Sequence, residues 1–372
     1  MKKIAIDAID INSLGGIVHL QQLASSLSKK KIFLKVYCNS FVKKNININK
    51  RIELIKKNIF DKNFIFRHLW KIFFFNKELK ESDCKLLIAL NGVYHGLYKP
   101  TLLIQQNILP FEDYAKKRYD FSSNIKFFLQ KFSILFSIKI HKNVVFTSFD
   151  IKSKILKSFK NIKSIKSKVI YHGVKKEIPI KKKIFSKDRN KFLFISEFQK
   201  YKNHENLFKA IQENKNTNKC IKLTCIGRYY DSYFKELNLK YNFKKLKIKI
   251  IKNMPHNKIL DIYNNYDAII FPSSCESFGL PVLEAASKKV PILCSNLKVF
   301  KEIYGKGCFY FDYQNYRSIL KKIYYFSSLK EKEIKKKIEI NYNKTKKLNW
   351  EYCGNNYYQM IINILNFYEK KN

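Results

Sequence analysis

Glu276 and Glu284 bracket the string Ser-Phe-Gly-Leu-Pro-Val-Leu, and the residue types in that string suit the presentation of backbone N–H groups. Pro281 falls where a first helical residue is expected, because a missing N–H costs nothing there. Gly279 frees the turn before it. Val282, Leu283, Ala285 and Ala286 begin a helical run, and the apolar residues 268–270 ahead of the turn read as a buried strand. A strand, a tight turn and a helix N-terminus make an anion site, with N–H groups at Ser277, Phe278, Gly279 and Leu280 pointing outward. A carboxylate beside such a turn repels an anion. It becomes useful if it accepts hydrogen bonds from sugar hydroxyls, as the acidic residue of dinucleotide folds does on ribose. The plainer reading, a strand-turn-helix unit with two solvated glutamates, accounts for the glycine and the proline but not for the whole string.

The string Glu-Ser-Phe-Gly-Leu-Pro-Val-Leu-Glu-Ala, followed by Val290-Pro291-Ile292 and Ser295-Asn296, resembles the donor-site signature of family-4 glycosyltransferases, a group 1 family of retaining enzymes. The resemblance implies an α/β chain of GT-B architecture: two Rossmann-like doubly wound domains facing a cleft, with the C-terminal helix crossing back to the first. It implies that Glu284 takes the ribose hydroxyls of a UDP- or GDP-sugar. Lys202 and the backbone from Ser277 through Leu280 would hold the diphosphate, and Glu276 would act at the transferred sugar. Gly15 and Gly16, in the first strand-to-helix turn, would approach the donor from the other domain. Asn107 lies in Asn-Ile-Leu-Pro-Phe, a pattern some members carry where others have a sugar-contacting His. Glu197 stands where the family commonly has Arg, which removes one charge-assisted bond to the diphosphate. Arg228 or Lys200 could supply that charge. His95 is a further candidate contact, although a lone loop histidine is more often structural.

The chemistry implied is stabilisation of a leaving group. Fixed N–H donors and a lysine favour the extra charge on a departing diphosphate more than they favour the ground state. No Asp-x-Asp metal motif is present, so no metal and no cofactor are expected. No nucleophile can be named on the opposite face of the sugar, so the residues do not support a double displacement.

The elements that must position these groups follow from the apolar pattern. The chain has 372 residues, more than one core usually serves. Strands are expected at 2–7, 32–38, 86–90, 102–105, 144–148, 168–171, 192–195, 223–226, 247–251, 268–270, 291–294 and 308–311, with a short one near 55. The Gly15-Gly16 loop is expected over 10–18, and a helix after it to about residue 30. Residues 63–79 and 124–139 read as aromatic-rich helices whose first role is core packing and whose second is membrane docking. The domains are placed at 1–174 and 191–347, joined by a lysine-rich linker over 175–190. Residues 348–372 form the helix that returns to the first domain.

The formal net charge is +45. It favours anionic partners, but nearly all the cations are lysine in a chain rich in Ile, Asn, Phe and Tyr, as an AT-rich genome produces throughout. The only arginines are Arg51, Arg67, Arg118, Arg189, Arg228 and Arg317. Nucleic-acid binders lean on arginine, so no specific nucleic acid is expected; an anionic membrane surface is. The eight cysteines form no Cys-x-x-Cys and no zinc spacing, which fits a reducing cytosol. The first strand follows Met-Lys-Lys at once and no run reaches about 20 apolar residues, so the expected place is cytoplasmic, peripheral on the inner face of the membrane. The resulting expectation is a metal-independent retaining hexosyltransferase that acts on a glycan or lipid-linked acceptor, in bacterial surface polysaccharide or lipopolysaccharide synthesis. The alternatives are a GT-B sugar-nucleotide epimerase and a non-enzymatic polyanion binder.

Overall fold

Among the described residues thirteen short strands, most of them apolar, fall into two all-parallel sheets. The computed structural model describes residues 2–159, 165–175, 185, 188–216, 220–229 and 231–370. Parallel strands need crossover connections and are covered on both faces, so they read as continuous apolar runs rather than alternating ones.

The first sheet contains β1 (Lys3–Ala8), β2 (Phe33–Cys38), β3 (Ile52–Ile55), β4 (Leu87–Ala89), β5 (Thr101–Gln105), β6 (Asn143–Phe146) and β7 (Lys166–Val169). Their order is β3-β2-β1-β4-β5-β6-β7. The order reverses between β1 and β4, which pair in register from Ala5 on Leu87. In the second sheet, β8 (Lys191–Ile195), β9 (Lys222–Ile226), β10 (Ile248–Ile251), β11 (Ala268–Phe271), β12 (Ile292–Ser295) and β13 (Phe309–Phe311) run β10-β9-β8-β11-β12-β13. Here the reversal lies between β8 and β11, the crevice where open α/β sheets bind ligands.

The chain divides into a unit of residues 1–111, 125–173 and 349–372 and a unit of residues 112–124 and 174–348. The C-terminal helix Trp350–Glu369 thus belongs to the first unit. Its Tyr357, Ile361, Ile364 and Leu365 enter one core with Leu20, Leu23, Ala24 and Leu27 of the helix Leu14–Lys29. Gly354 permits that approach, since a Cβ there would lie 1.7 Å from Ser26 Oγ. Residues 112–124 differ from the sequence expectation, which put them in the first domain. Arg118 pairs with Glu205 at 3.2 Å and donates to Asn203 Oδ1, and Tyr114 packs edge-on against Tyr313, so the second unit holds them. In the expected linker, residues 176–184, 186 and 187 lie outside the described residues.

Two further expectations change. Gly15 and Gly16 already lie in the first turn of the helix Leu14–Lys29, because Ser13 caps it by accepting from the Gly16 N–H at 3.1 Å. The aromatic stretch expected as one helix over 63–79 is two, Phe64–Phe73 and Phe75–Glu81, broken at Phe74. Its expected core role holds for Phe75 and Leu79, which are fully buried; Phe66, Leu69, Phe73 and Phe74 are exposed. The other helix runs Phe121–His141 and buries Phe127, Ile134 and Ile138, while Phe128, Phe132 and Phe136 face out. Among the described residues no helix is long and apolar enough to cross a membrane.

Candidate functional site

Three strand ends of the second unit carry the candidate residues, and neighbouring strands in the sheet bring them together. β8 leads to Glu197 and Lys202, β9 to Arg228, and β11 to the turn holding Glu276.

The turn after β11 is held by its own residues. Gly279 adopts φ +84° and ψ +65° at the N-terminus of the helix Leu280–Ser287, with Pro281 in its first turn. A left-handed conformation here favours glycine, and the packing is equally restrictive: a Cβ would lie 2.6 Å from Phe300 Cε1. Phe278 is buried beneath the turn, while Ser277 and Leu280 are partly exposed. Ser274 donates to the Tyr201 carbonyl through both its N–H (2.8 Å) and its hydroxyl (2.9 Å). That carbonyl sits in the short turn Lys200–Lys202, so two loops from different strands are locked together.

The lock sets Lys202 beside Glu276, with Nζ 2.5 Å from Oε1 and both side chains largely buried. Burial alone would pull the Lys202 ammonium down, but the adjacent carboxylate more than reverses this and holds it above its ordinary value. The lysine therefore stays cationic. Asn203 anchors the same turn in a left-handed conformation and donates to the carbonyls of Pro272 (3.0 Å) and Tyr313 (2.8 Å).

Glu284 is fixed at both oxygens. Oε1 lies 2.7 Å from His256 Nε2, and Oε2 accepts from the Tyr263 hydroxyl at 2.9 Å. Burial, then the charge of Glu284, raise the Tyr263 phenol well above its ordinary value, so it remains a donor. Neither partner was legible in the sequence. His256 opens a helix after Pro255 and Tyr263 closes it, with nothing in their spacing to point at a glutamate 21 residues past Tyr263.

Glu197, the departure from the family pattern, pairs with Arg228: Arg228 Nε lies 3.2 Å from Glu197 Oε1, and a second contact runs through Nη2. Backbone pairing sets the two at neighbouring strand ends, with the Phe198 N–H donating to the Arg228 carbonyl at 2.8 Å.

The other candidates lie in the first unit. Gly15 and Gly16 are at the helix start described above. Asn107 is exposed, and its Oδ1 accepts from the Leu109 N–H at 3.2 Å, forming the turn itself. Gln106, where the family often has His, donates to the Leu90 carbonyl (2.8 Å) and meets His19 Nδ1 at 3.2 Å. His95 is a packing residue: its Nε2 lies 2.8 Å from Ser133 Oγ, and its ring contacts His68 and Phe136. Among the described residues no group of three His, Cys, Asp or Glu is disposed to hold a metal ion.

The family model described as "Glycosyl transferases group 1" matches residues 175–345. The O-antigen chain mannosyltransferase RfbU of Salmonella typhimurium is 28% identical over 203 residues, 53% of this chain and 56% of that protein. The match thus spans about half the length of that relative. Over 98% of the chain the fold is similar to sucrose-phosphate synthase of Thermosynechococcus elongatus (TM-score 0.77, 14% identity, 99% of that structure). It is also similar to Anabaena HepE in complex with UDP-glucose (TM-score 0.69, 12% identity, 98% of this chain and 100% of that one). The two parallel sheets are those of a GT-B fold.

Proposed function

We propose, from the match of residues 175–345 to the group 1 glycosyl transferase model, that the chain is a retaining glycosyltransferase of bacterial surface polysaccharide synthesis. It moves a hexose from a nucleoside-diphosphate sugar to a glycan or lipid-linked acceptor. The resemblance to an O-antigen mannosyltransferase makes mannose the first sugar to try. The observation that carries the reading is the pairing of a buried Lys202 with Glu276 at the β8/β11 reversal.

In this reading Glu284, already oriented by Tyr263 and His256, accepts from the ribose hydroxyls. Lys202 and the N–H groups opening the helix Leu280–Ser287 take the diphosphate. When the bond from the anomeric carbon to the diphosphate oxygen breaks, the nucleoside diphosphate leaves with the bonding pair. The lysine meets charge that is larger in the transition state than in the bound donor. Glu276 faces the sugar and balances the lysine until the donor arrives. In this reading the reaction requires no metal. The enzyme works at the inner face of an anionic membrane.

Calorimetric titration with UDP and GDP in about 0.3 M salt, which screens nonspecific attraction, tests the donor site. One nucleotide is expected to saturate a single site. Glu284→Ala is expected to weaken it about thirtyfold, the scale of a lost charge-assisted hydrogen bond or two. Binding of neither nucleotide, with single-stranded DNA retained at that salt, would replace the reading with a polyanion binder. Arg228 supplies the charge that Glu197 displaces from the family position. Arg228→Ala is accordingly expected to cost about tenfold in affinity for the nucleoside diphosphate and to leave the nucleoside alone unaffected. Equal losses for both ligands would remove Arg228 from the diphosphate site.

A further inference from the structure

The helix Phe64–Phe73 is turned inside out. Its buried residue is Lys71, whereas Ile65, Phe66, Leu69, Ile72 and Phe73 are exposed, Phe73 by 68%. The ion pairs explain the inversion. Lys71 Nζ lies 2.7 Å from Asp7 Oδ2 and 2.6 Å from Asp10 Oδ2, and Arg67 Nε lies 3.1 Å from Asp10 Oδ1. Asp7 belongs to β1 and Asp10 to the residues after it, so the sheet itself draws the polar face inward. The apolar face has nowhere to go but outward.

The helix Phe121–His141 presents a matching stripe. Ile125, Phe128, Leu129, Phe132 and Phe136 follow the spacing of one helix face, and each is about half exposed or more. Phe127, Ile134 and Ile138 bury the opposite face. The two helices meet through His95, whose ring lies 4.9 Å from His68 and 5.7 Å from Phe136. Neither helix contains Asp or Glu, and the exposed Lys62, Lys126 and Lys139 border the apolar residues. Apolar surface of this extent on one face marks an interaction site.

We propose that this paired face is a docking surface for an anionic lipid bilayer, which the aromatic stripes enter at headgroup depth while the lysines meet lipid phosphates. A second copy of the chain is the poorer occupant, because it would set two acid-free basic helices against each other in a protein of formal charge +45. A bilayer offers both halves of the match, an acyl boundary for Phe, Leu and Ile and negative charge for Lys. The surface rests on the transferase reading only in what it is for, the delivery of a lipid-linked acceptor. Its residues are separate from the donor site.

Flotation with phosphatidylglycerol–phosphatidylcholine vesicles, roughly three in ten lipids anionic, tests the assignment on the full chain. Wild type is expected to float with these vesicles and to lose most binding on pure phosphatidylcholine. The variant Phe73→Ser/Phe128→Ser/Phe132→Ser is expected to partition about a hundredfold less well. Its three positions are exposed, so its affinity for UDP or GDP is expected to match wild type, which checks its fold. Flotation of the variant equal to wild type would overturn the proposal in favour of attraction by charge alone. So would wild type that stays off anionic vesicles, or a dimer in sedimentation that the same three changes dissolve. Failure of nucleotide binding in the wild type would count against the donor site and leave the flotation result standing.

Discussion

Lys202→Met is expected to lower kcat about a thousandfold and to change KM for the donor much less. Methionine keeps the stem of the side chain and removes only the ammonium. In the bound donor the diphosphate already carries charge, so some of the lysine's attraction is spent equally on ground state and transition state. In the proposed mechanism the part that sets kcat is the added attraction as the bond to the anomeric carbon breaks and the leaving oxygen gains charge. Removing one preorganised donor to such a charge typically costs about 2.7–4 kcal/mol. The geometry places Lys202 at the upper end. It is buried, held cationic by Glu276 at 2.5 Å, and locked through the Tyr201 carbonyl to the loop after β11, so it needs little reorganisation. The variant also strands Glu276, now an unbalanced carboxylate where negative charge develops. The double variant Lys202→Met/Glu276→Gln is therefore expected to regain donor affinity but not kcat, because Glu276 also faces the sugar in the proposed reading. Steady-state hydrolysis or transfer of whichever donor the titrations identify gives the split. A variant whose KM rises while kcat holds would make Lys202 a uniform binding group and remove it from leaving-group stabilisation.

How much of this was legible in the sequence depended on the range of the interaction. The strand-turn-helix at Ala268–Phe271 and Leu280–Ser287 is written locally: four apolar residues, then Gly279 and Pro281 at the positions where backbone geometry asks for them. The same is true of the Ser148 cap, which accepts from the Ile151 N–H, and of the apolar runs of both sheets. Contacts between distant segments left no local mark. Lys202 and Glu276 are 74 residues apart, and the pairing follows from the strand order, which places β8 beside β11. The Glu197–Arg228 pair is likewise invisible until β8 and β9 are set side by side. The aromatic helices expose a different limit. Periodicity states which residues share a face of a helix, and by itself it does not state which face turns inward. Burial of the apolar face is the ordinary outcome, and in Phe64–Phe73 it lost to a set of charges on another element.

That set of charges makes Lys71→Met the change expected to cost the first unit most in stability, about 3–5 kcal/mol. Lys71 is buried against two carboxylates, and burial has already raised Asp7 above its ordinary value despite the lysine, while the lysine together with Arg67 holds Asp10 below its own. Without the ammonium, Asp7 keeps the Ile9 N–H at 3.1 Å against its burial, and Asp10 keeps Arg67. Two neighbouring carboxylates in that state bind protons more tightly in the folded chain than in the unfolded one. The sign of the pH dependence follows. A folded state that holds more protons loses stability as pH rises, so the variant's deficit is expected to be larger at pH 7.5 than at pH 5. Urea unfolding at the two pH values reads both the size and the slope. A deficit below about 1 kcal/mol, or one that grows as the pH falls, would mean that the ion pairs do not hold the helix. The further consequence separates the charge network from simple packing. Once Lys71 no longer ties the polar face to Asp7 and Asp10, the helix is free to roll Phe66 and Phe73 toward the sheet. Hydrogen exchange in residues 64–73 is then expected to accelerate ahead of the rest of the unit, because the element that loses its anchor opens first.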